Sequence, residues 1–158
     1  MAVKPIPDGY RTFTPYFVVE GGSAFIGFLK QAFGAEESFR MPMPNGKPGH
    51  AEVRVGDSVL MLADANPPEH GARQFNGTLY VTDCDAVFNK AVAAGAKGVR
   101  KPENQFYGDR MSGVVDPWGN YWSIATHLED VSPEEMEKLM KALPPGVIQR
   151  LNGASFTQ

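Results

Sequence analysis

At 158 residues, with 42% of them hydrophobic and 21% charged, the chain has the composition of one soluble globular domain, or of two small halves sharing a core. A net charge of -3 with no run of Lys or Arg argues against a nucleic-acid footprint, and no apolar stretch approaches the roughly 20 residues of a membrane span. The single cysteine, Cys84, excludes an intrachain disulfide. Together with an opening Met-Ala-Val-Lys-Pro-Ile-Pro that lacks the apolar core of a signal peptide, it predicts a cytoplasmic protein.

Residues 1–11 hold prolines and a glycine and read as an extended arm. Thr12 to Glu20 is strand-like, and Gly21-Gly22-Ser23 is a turn with Ser23 as the expected N-cap. Phe25, Phe28, Leu29, Ala32 and Phe33 recur at helical spacing, and Gly34 ends that helix. Strands follow at Glu36 to Met41, His50 to Val55 and Ser58 to Ala63, with turns at Pro44-Asn45-Gly46 and Gly56-Asp57. After a loop the order restarts. A strand at Thr78 to Thr82 precedes a helix from Asp85 that carries Phe88, Ala91 and Val92 on one face and closes at Gly95. Strands at Lys97 to Arg100, Met111 to Val115 and Tyr121 to His127 complete the second copy. Cys84 sits near a helix start, but no His stands beside it in sequence, and it reads as an inert small side chain.

Strand, helix and three strands thus occur twice, over 12–64 and 76–127. The expected fold is α+β: two βαβββ modules forming a cupped, mixed or antiparallel sheet. Ser132-Pro133-Glu134-Glu135 is a capping box that starts a C-terminal helix over 132–143, and residues 144–158 form a tail without a clear signal. Within Asp109–His127, Asp116-Pro117-Trp118-Gly119 fits a type I turn. After it, Trp122 and Ile124 alternate with Tyr121, Ser123 and His127, so one strand face is core and the other is half polar. By the same parity Phe17 points to core, while Tyr16, Tyr80 and Tyr121 point the other way.

Phe-Gly-Ala-Glu-Glu (33–37), His-Ala-Glu-Val-Arg-Val-Gly-Asp-Ser (50–58), Phe-Tyr-Gly-Asp-Arg (106–110) and Asp-Pro-Trp-Gly-Asn-Tyr-Trp-Ser-Ile-Ala-Thr-His (116–127) resemble the glyoxalase/bleomycin-resistance/dioxygenase (vicinal oxygen chelate) superfamily. The match within it is to the PhnB-like branch. The resemblance covers about 10–130 and implies a homodimer, since two superfamily chains commonly share their modules. It also implies a small-molecule ligand or substrate. In metal-using members, His, Glu or Gln on the first and last strand of each module hold a divalent ion that chelates two substrate oxygens. Those positions fall here on Thr14, Met61, Asn76 or Thr78, and Ser123. Hydroxyl, thioether and amide groups are poor sole ligands for Zn, Ni or Fe, so no metal and no cofactor is expected.

An alternative keeps a divalent metal, shifted to the rim on His50, Glu52 and His127. Two functions follow. The first is a metal-free pocket that binds a small, partly aromatic molecule. The second is a lyase, isomerase or dioxygenase, with His50 or His127 as general base near neutral pH. Strand parity predicts that Thr14, Tyr16, Met61, Thr78, Tyr80, Tyr121 and Ser123 line one concave pocket, with Arg110 and His50 at its edge.

Overall fold

The computed structural model describes residues 3–147. In the first module β1 (Tyr16–Val19) leads to α1 (Gly22–Phe33), then β2 (Glu36–Pro42), β3 (Pro48–Val55) and β4 (Ser58–Asp64). Phe25, Ile26, Phe28, Leu29 and Ala32 form the buried stripe of α1, as their spacing requires. Ser23 does not cap this helix. The N-cap is Gly21, in the left-handed region, and no local side chain serves it. Asp64, at the end of β4, accepts instead from the backbone N–H of Gly22 at 2.7 Å and of Gly21 at 3.3 Å. A carboxylate there satisfies orphan amides and faces the positive end of the helix dipole. Gly34 ends α1 at φ 66°. The β3–β4 hairpin turns on Gly56 at φ 57°, where positive φ favours glycine.

The second module repeats the order: β5 (Asn76–Tyr80), α2 (Cys84–Ala93), β6 (Lys97–Asn104), β7 (Asp109–Val115) and β8 (Tyr121–His127). Asp83 caps α2, its side chain accepting from the N–H of Ala86. α3 (Pro133–Ala142) starts as its capping box predicts, with Ser132 accepting from the N–H of Glu135. No residue of α3 is fully buried. Residues 148–158, most of the expected tail, lie outside the described residues.

Two four-stranded sheets result, in the orders β1-β4-β3-β2 and β5-β8-β7-β6. In each, the module's first and last strands pair in parallel and the other neighbours are antiparallel. The α+β fold of two βαβββ modules and a C-terminal helix is therefore what the chain adopts. α1 and α2 pack against each other, and the helix-bearing faces of both sheets share one core. Phe17 of β1 stacks on Trp122 of β8 with ring centroids 5.6 Å apart, so the modules meet through aromatic rings. Strand parity holds: Phe17, Trp122 and Ile124 are buried, while Tyr16 and Tyr80 remain 49% and 66% exposed.

The turn between β7 and β8 is a second anchor. The N–H of Gly119 donates to the carbonyl of Asp116, the bond of a type I turn. The Asp116 carboxylate is buried and accepts from the N–H groups of Trp118 and Asn120, the amide of Asn120 and the indole of Trp122. Trp118 in turn donates to the carbonyl of Glu20, tying this turn to the end of β1.

Candidate functional site

The open face of the first sheet carries a chain of polar groups. Met61 of β4 lies between Tyr16 of β1 and Glu52 of β3 in the ladder, so all three share that face. Glu52 accepts from the hydroxyl of Tyr10, in the N-terminal arm. Its other oxygen lies 3.3 Å from Nε2 of His50, and Nδ1 of His50 lies 3.5 Å from the Tyr16 hydroxyl. The bond to a carboxylate holds the Tyr10 phenol above its ordinary pKa. Phe39 places its ring 6.1 Å from that of His50. Chemically this is an imidazole with a carboxylate behind it and a hydroxyl in front, on a surface otherwise aromatic or thioether in character.

The open face of the second sheet has its own cluster. Asp109 is buried and takes the hydroxyl of Tyr80 at 2.8 Å and Nδ1 of His127 at 2.7 Å. Nε2 of His127 lies 3.0 Å from Asp130. Asp109, then Asp130, raise the His127 pKa, and Asp109 likewise raises that of Tyr80. Both ring nitrogens lie against carboxylates, an arrangement that favours the protonated ring.

The sign for stability follows. A histidine with a raised folded pKa contributes stability that is complete below its unfolded value and lost as pH rises through the folded one. We expect the His127 ring to titrate by NMR above the usual value of about 6.5. Asp109→Asn is expected to bring it down, with Asp130→Asn having the smaller effect. An unshifted His127 would disprove the pairing.

Other predicted residues lie elsewhere. Arg110 points to the helix side, where Nη2 donates to Asp85 of α2 at 2.7 Å, Nε makes a second contact with the same carboxylate, and Nη1 donates to Asn104. That pairing depresses the Asp85 pKa. Cys84 is buried, and desolvation raises its thiol pKa, which suits an inert side chain. Tyr10, Asp85 and Asp109 each partner a predicted residue, Glu52, Arg110 and His127 respectively, from a distance in sequence. The signal for Asp109 was its place in the strand opposite His127, its ladder partner.

Two recesses take in parts of the predicted pocket. A recess of about 440 Å³ at the seam between the modules brings Thr14 and Thr78 together, with Leu60, Phe75 and Trp122. A second, of about 480 Å³, lies under the arm and joins Thr14 to Met61 beside Ile6 and Tyr10. Neither includes Tyr16, Tyr80, Tyr121 or Ser123. Thr78 and Ser123 are ladder partners on the second sheet. His50, on β3, and His127, on β8, belong to different sheets.

Among the described residues, no three His, Cys, Asp or Glu side chains are grouped to hold a metal ion, so His50, Glu52 and His127 do not form a rim site within the chain. The family-type ion is a poor fit for the donors at its expected strand positions. Thr14, Met61, Asn76 or Thr78, and Ser123 offer hydroxyl, thioether and amide groups, without an imidazole or carboxylate. Among the described residues, no helix is long and apolar enough to cross a membrane.

Known proteins are similar to this chain in sequence or in architecture. The uncharacterized protein Rv0887c of Mycobacterium tuberculosis is 35% identical over 143 residues, covering 84% of this chain and 84% of its own. Mb0911c of Mycobacterium bovis, also uncharacterized, is 35% identical over 143 residues, covering 84% of this chain and 94% of its own. TioX from Micromonospora sp. ML1 superposes with a TM-score of 0.65 at 24% identity, over 75% of this chain and 99% of that one. A glyoxalase/bleomycin resistance protein/dioxygenase family enzyme from Burkholderia phytofirmans gives 0.60 at 21%, over 73% and 97%. These two structural likenesses speak for the fold. The model of the Glyoxalase/Bleomycin resistance protein/Dioxygenase superfamily matches residues 17–124, and the chain belongs to that superfamily.

Proposed function

We propose that this chain is a small-molecule-binding member of the superfamily, of the PhnB-like branch, that works as a homodimer and without the ion of its metal-using relatives. The chemistry at the four expected ligand positions carries the reading. Thr14, Met61, Asn76 or Thr78, and Ser123 supply no strong metal ligand, while Tyr16 and Tyr80 on the open faces hold their rings out at 49% and 66% exposure. Large rings left in water beside polar groups are what a partly aromatic ligand covers. A second chain that meets these open faces would complete the cup that one chain leaves open.

Three measurements test it. Elemental analysis of protein purified without chelator is expected to find no stoichiometric metal. One equivalent of Zn, Ni, Mn or Fe, lost on Ser123→Ala but not on His127→Ala, would refute the metal-free reading. Light scattering is expected to give a dimer at micromolar concentration, and a monomer removes that part. A ligand at a hundredfold excess over its Kd adds about 2.7 kcal/mol to stability. A panel of aromatic compounds should therefore contain some that raise Tm by roughly 5–10 °C, an effect lost in Tyr16→Ala and Tyr80→Ala.

The contact of His50 with Glu52 and its approach to Tyr16 support a second reading, in which His50 takes a proton from bound substrate. His50→Gln separates the two. Retained ligand affinity with lost turnover favours the enzyme, and loss of affinity alone favours the binding protein.

A further inference from the structure

We propose that the recess at the seam between the modules binds a planar aromatic carboxylate, its ring against Phe13 and Phe75 and its carboxylate on Arg11. This goes beyond the ligand-binding reading above, because the recess does not include the Tyr16 and Tyr80 of the open faces and is a separate place for a ligand. At about 440 Å³ the recess falls within the roughly 300–1,000 Å³ of small-molecule sites. Both modules build it: Thr14 and Leu60 come from the first, Phe75, Thr78 and Trp122 from the second.

The wall is mainly apolar and aromatic, which suits a flat hydrocarbon body. Phe75 is laid over Gly77, where an added Cβ would meet the ring at 2.6 Å. A side chain at position 77 would push Phe75 off the strand and close the floor. Phe13 stands in the lining with 76% of its surface in water, and a bound ring would cover part of it.

Charge decides the polar end. Arg11 is the one charged residue in the lining, and no carboxylate joins it. A cation would find no partner there, and an anion would. Arg11 now pairs with Asp57 at 3.2 Å, both side chains being exposed, and such pairs contribute little. Exchanging Asp57 for a ligand carboxylate is therefore cheap, and a guanidinium can take it with two parallel hydrogen bonds. Thr14 and Thr78 in the lining offer hydroxyls to a polar substituent on the ring.

Naphthoate is the probe, titrated into the full chain and followed by calorimetry and tryptophan fluorescence. One site per chain is expected. Arg11→Gln should weaken naphthoate by roughly tenfold or more while leaving the neutral naphthylmethanol within about twofold. Thr78→Phe, which fills the recess from an exposed strand position, should abolish both. Circular dichroism confirms that each variant folds. Equal affinity for naphthoate and naphthylmethanol, or naphthoate binding unchanged in Thr78→Phe, overturns the proposal. A chain stabilised by other aromatic compounds but not by naphthoate also overturns it, while the ligand-binding reading stands. Silence across the whole panel overturns both.

Discussion

Asp116→Ala is expected to lower stability by about 3–5 kcal/mol, a fall in Tm of roughly 10 °C or more for a chain of this size. The carboxylate is 4% exposed and accepts four hydrogen bonds: one oxygen serves the N–H groups of Trp118 and Asn120, the other the Asn120 amide and the Trp122 indole. Alanine leaves those donors facing a small void. An unpaired buried donor costs about 1–3 kcal/mol, and relaxation or an entering water recovers part of the sum. Asp116→Asn should be little better, because the new amide must turn a donor toward one pair of existing donors. Thermal melts of both variants check this. A loss under about 1 kcal/mol in Asp116→Ala would show that the turn does not depend on its carboxylate.

Much of this architecture is legible in the sequence because it is written in short periods. The helix stripe from Phe25 to Ala32 and the alternation of Tyr121, Trp122, Ser123 and Ile124 need only local reading, and both match the burial observed. What local reading misses comes from distant partners. Ser23 looks like a cap, but Asp64 supplies it from 42 residues beyond Gly22. Arg110 is expected at the edge of the pocket, yet alternation sends it and its neighbour Asp109 to opposite faces. Asp109 goes to His127 on the open side, and Arg110 goes to Asp85 on the helix side. The packing of the two modules is carried by Phe17, Phe33, Phe75 and Trp122, whose mutual contacts have no sequence period. That packing determines why one chain gathers Thr14 with Thr78 in one recess and with Met61 in another, while leaving Tyr16 and Tyr80 in the open.

The same rings set the second large effect, which is Trp122→Ala. Trp122 is 2% exposed and meets Phe33 at 4.9 Å, Phe17 at 5.6 Å and Phe75 at 6.3 Å between centroids. Two of those rings come from the first module, so removing the indole opens a cavity where the modules join. Losses for buried aromatic-to-alanine changes run to about 3–5 kcal/mol. Trp122→Phe keeps most of the ring contact and loses the N–H to Asp116, so its cost should be about 1–2 kcal/mol. Because Trp122 and Asp116 share that bond at 2.9 Å, their effects should not add. The double variant Asp116→Ala/Trp122→Ala is expected to lose less than the two single losses together, by about 0.5–3 kcal/mol. Strict additivity in denaturant melts would mean that the turn and the ring cluster are independent, and that the seam between the modules is held by the rings alone.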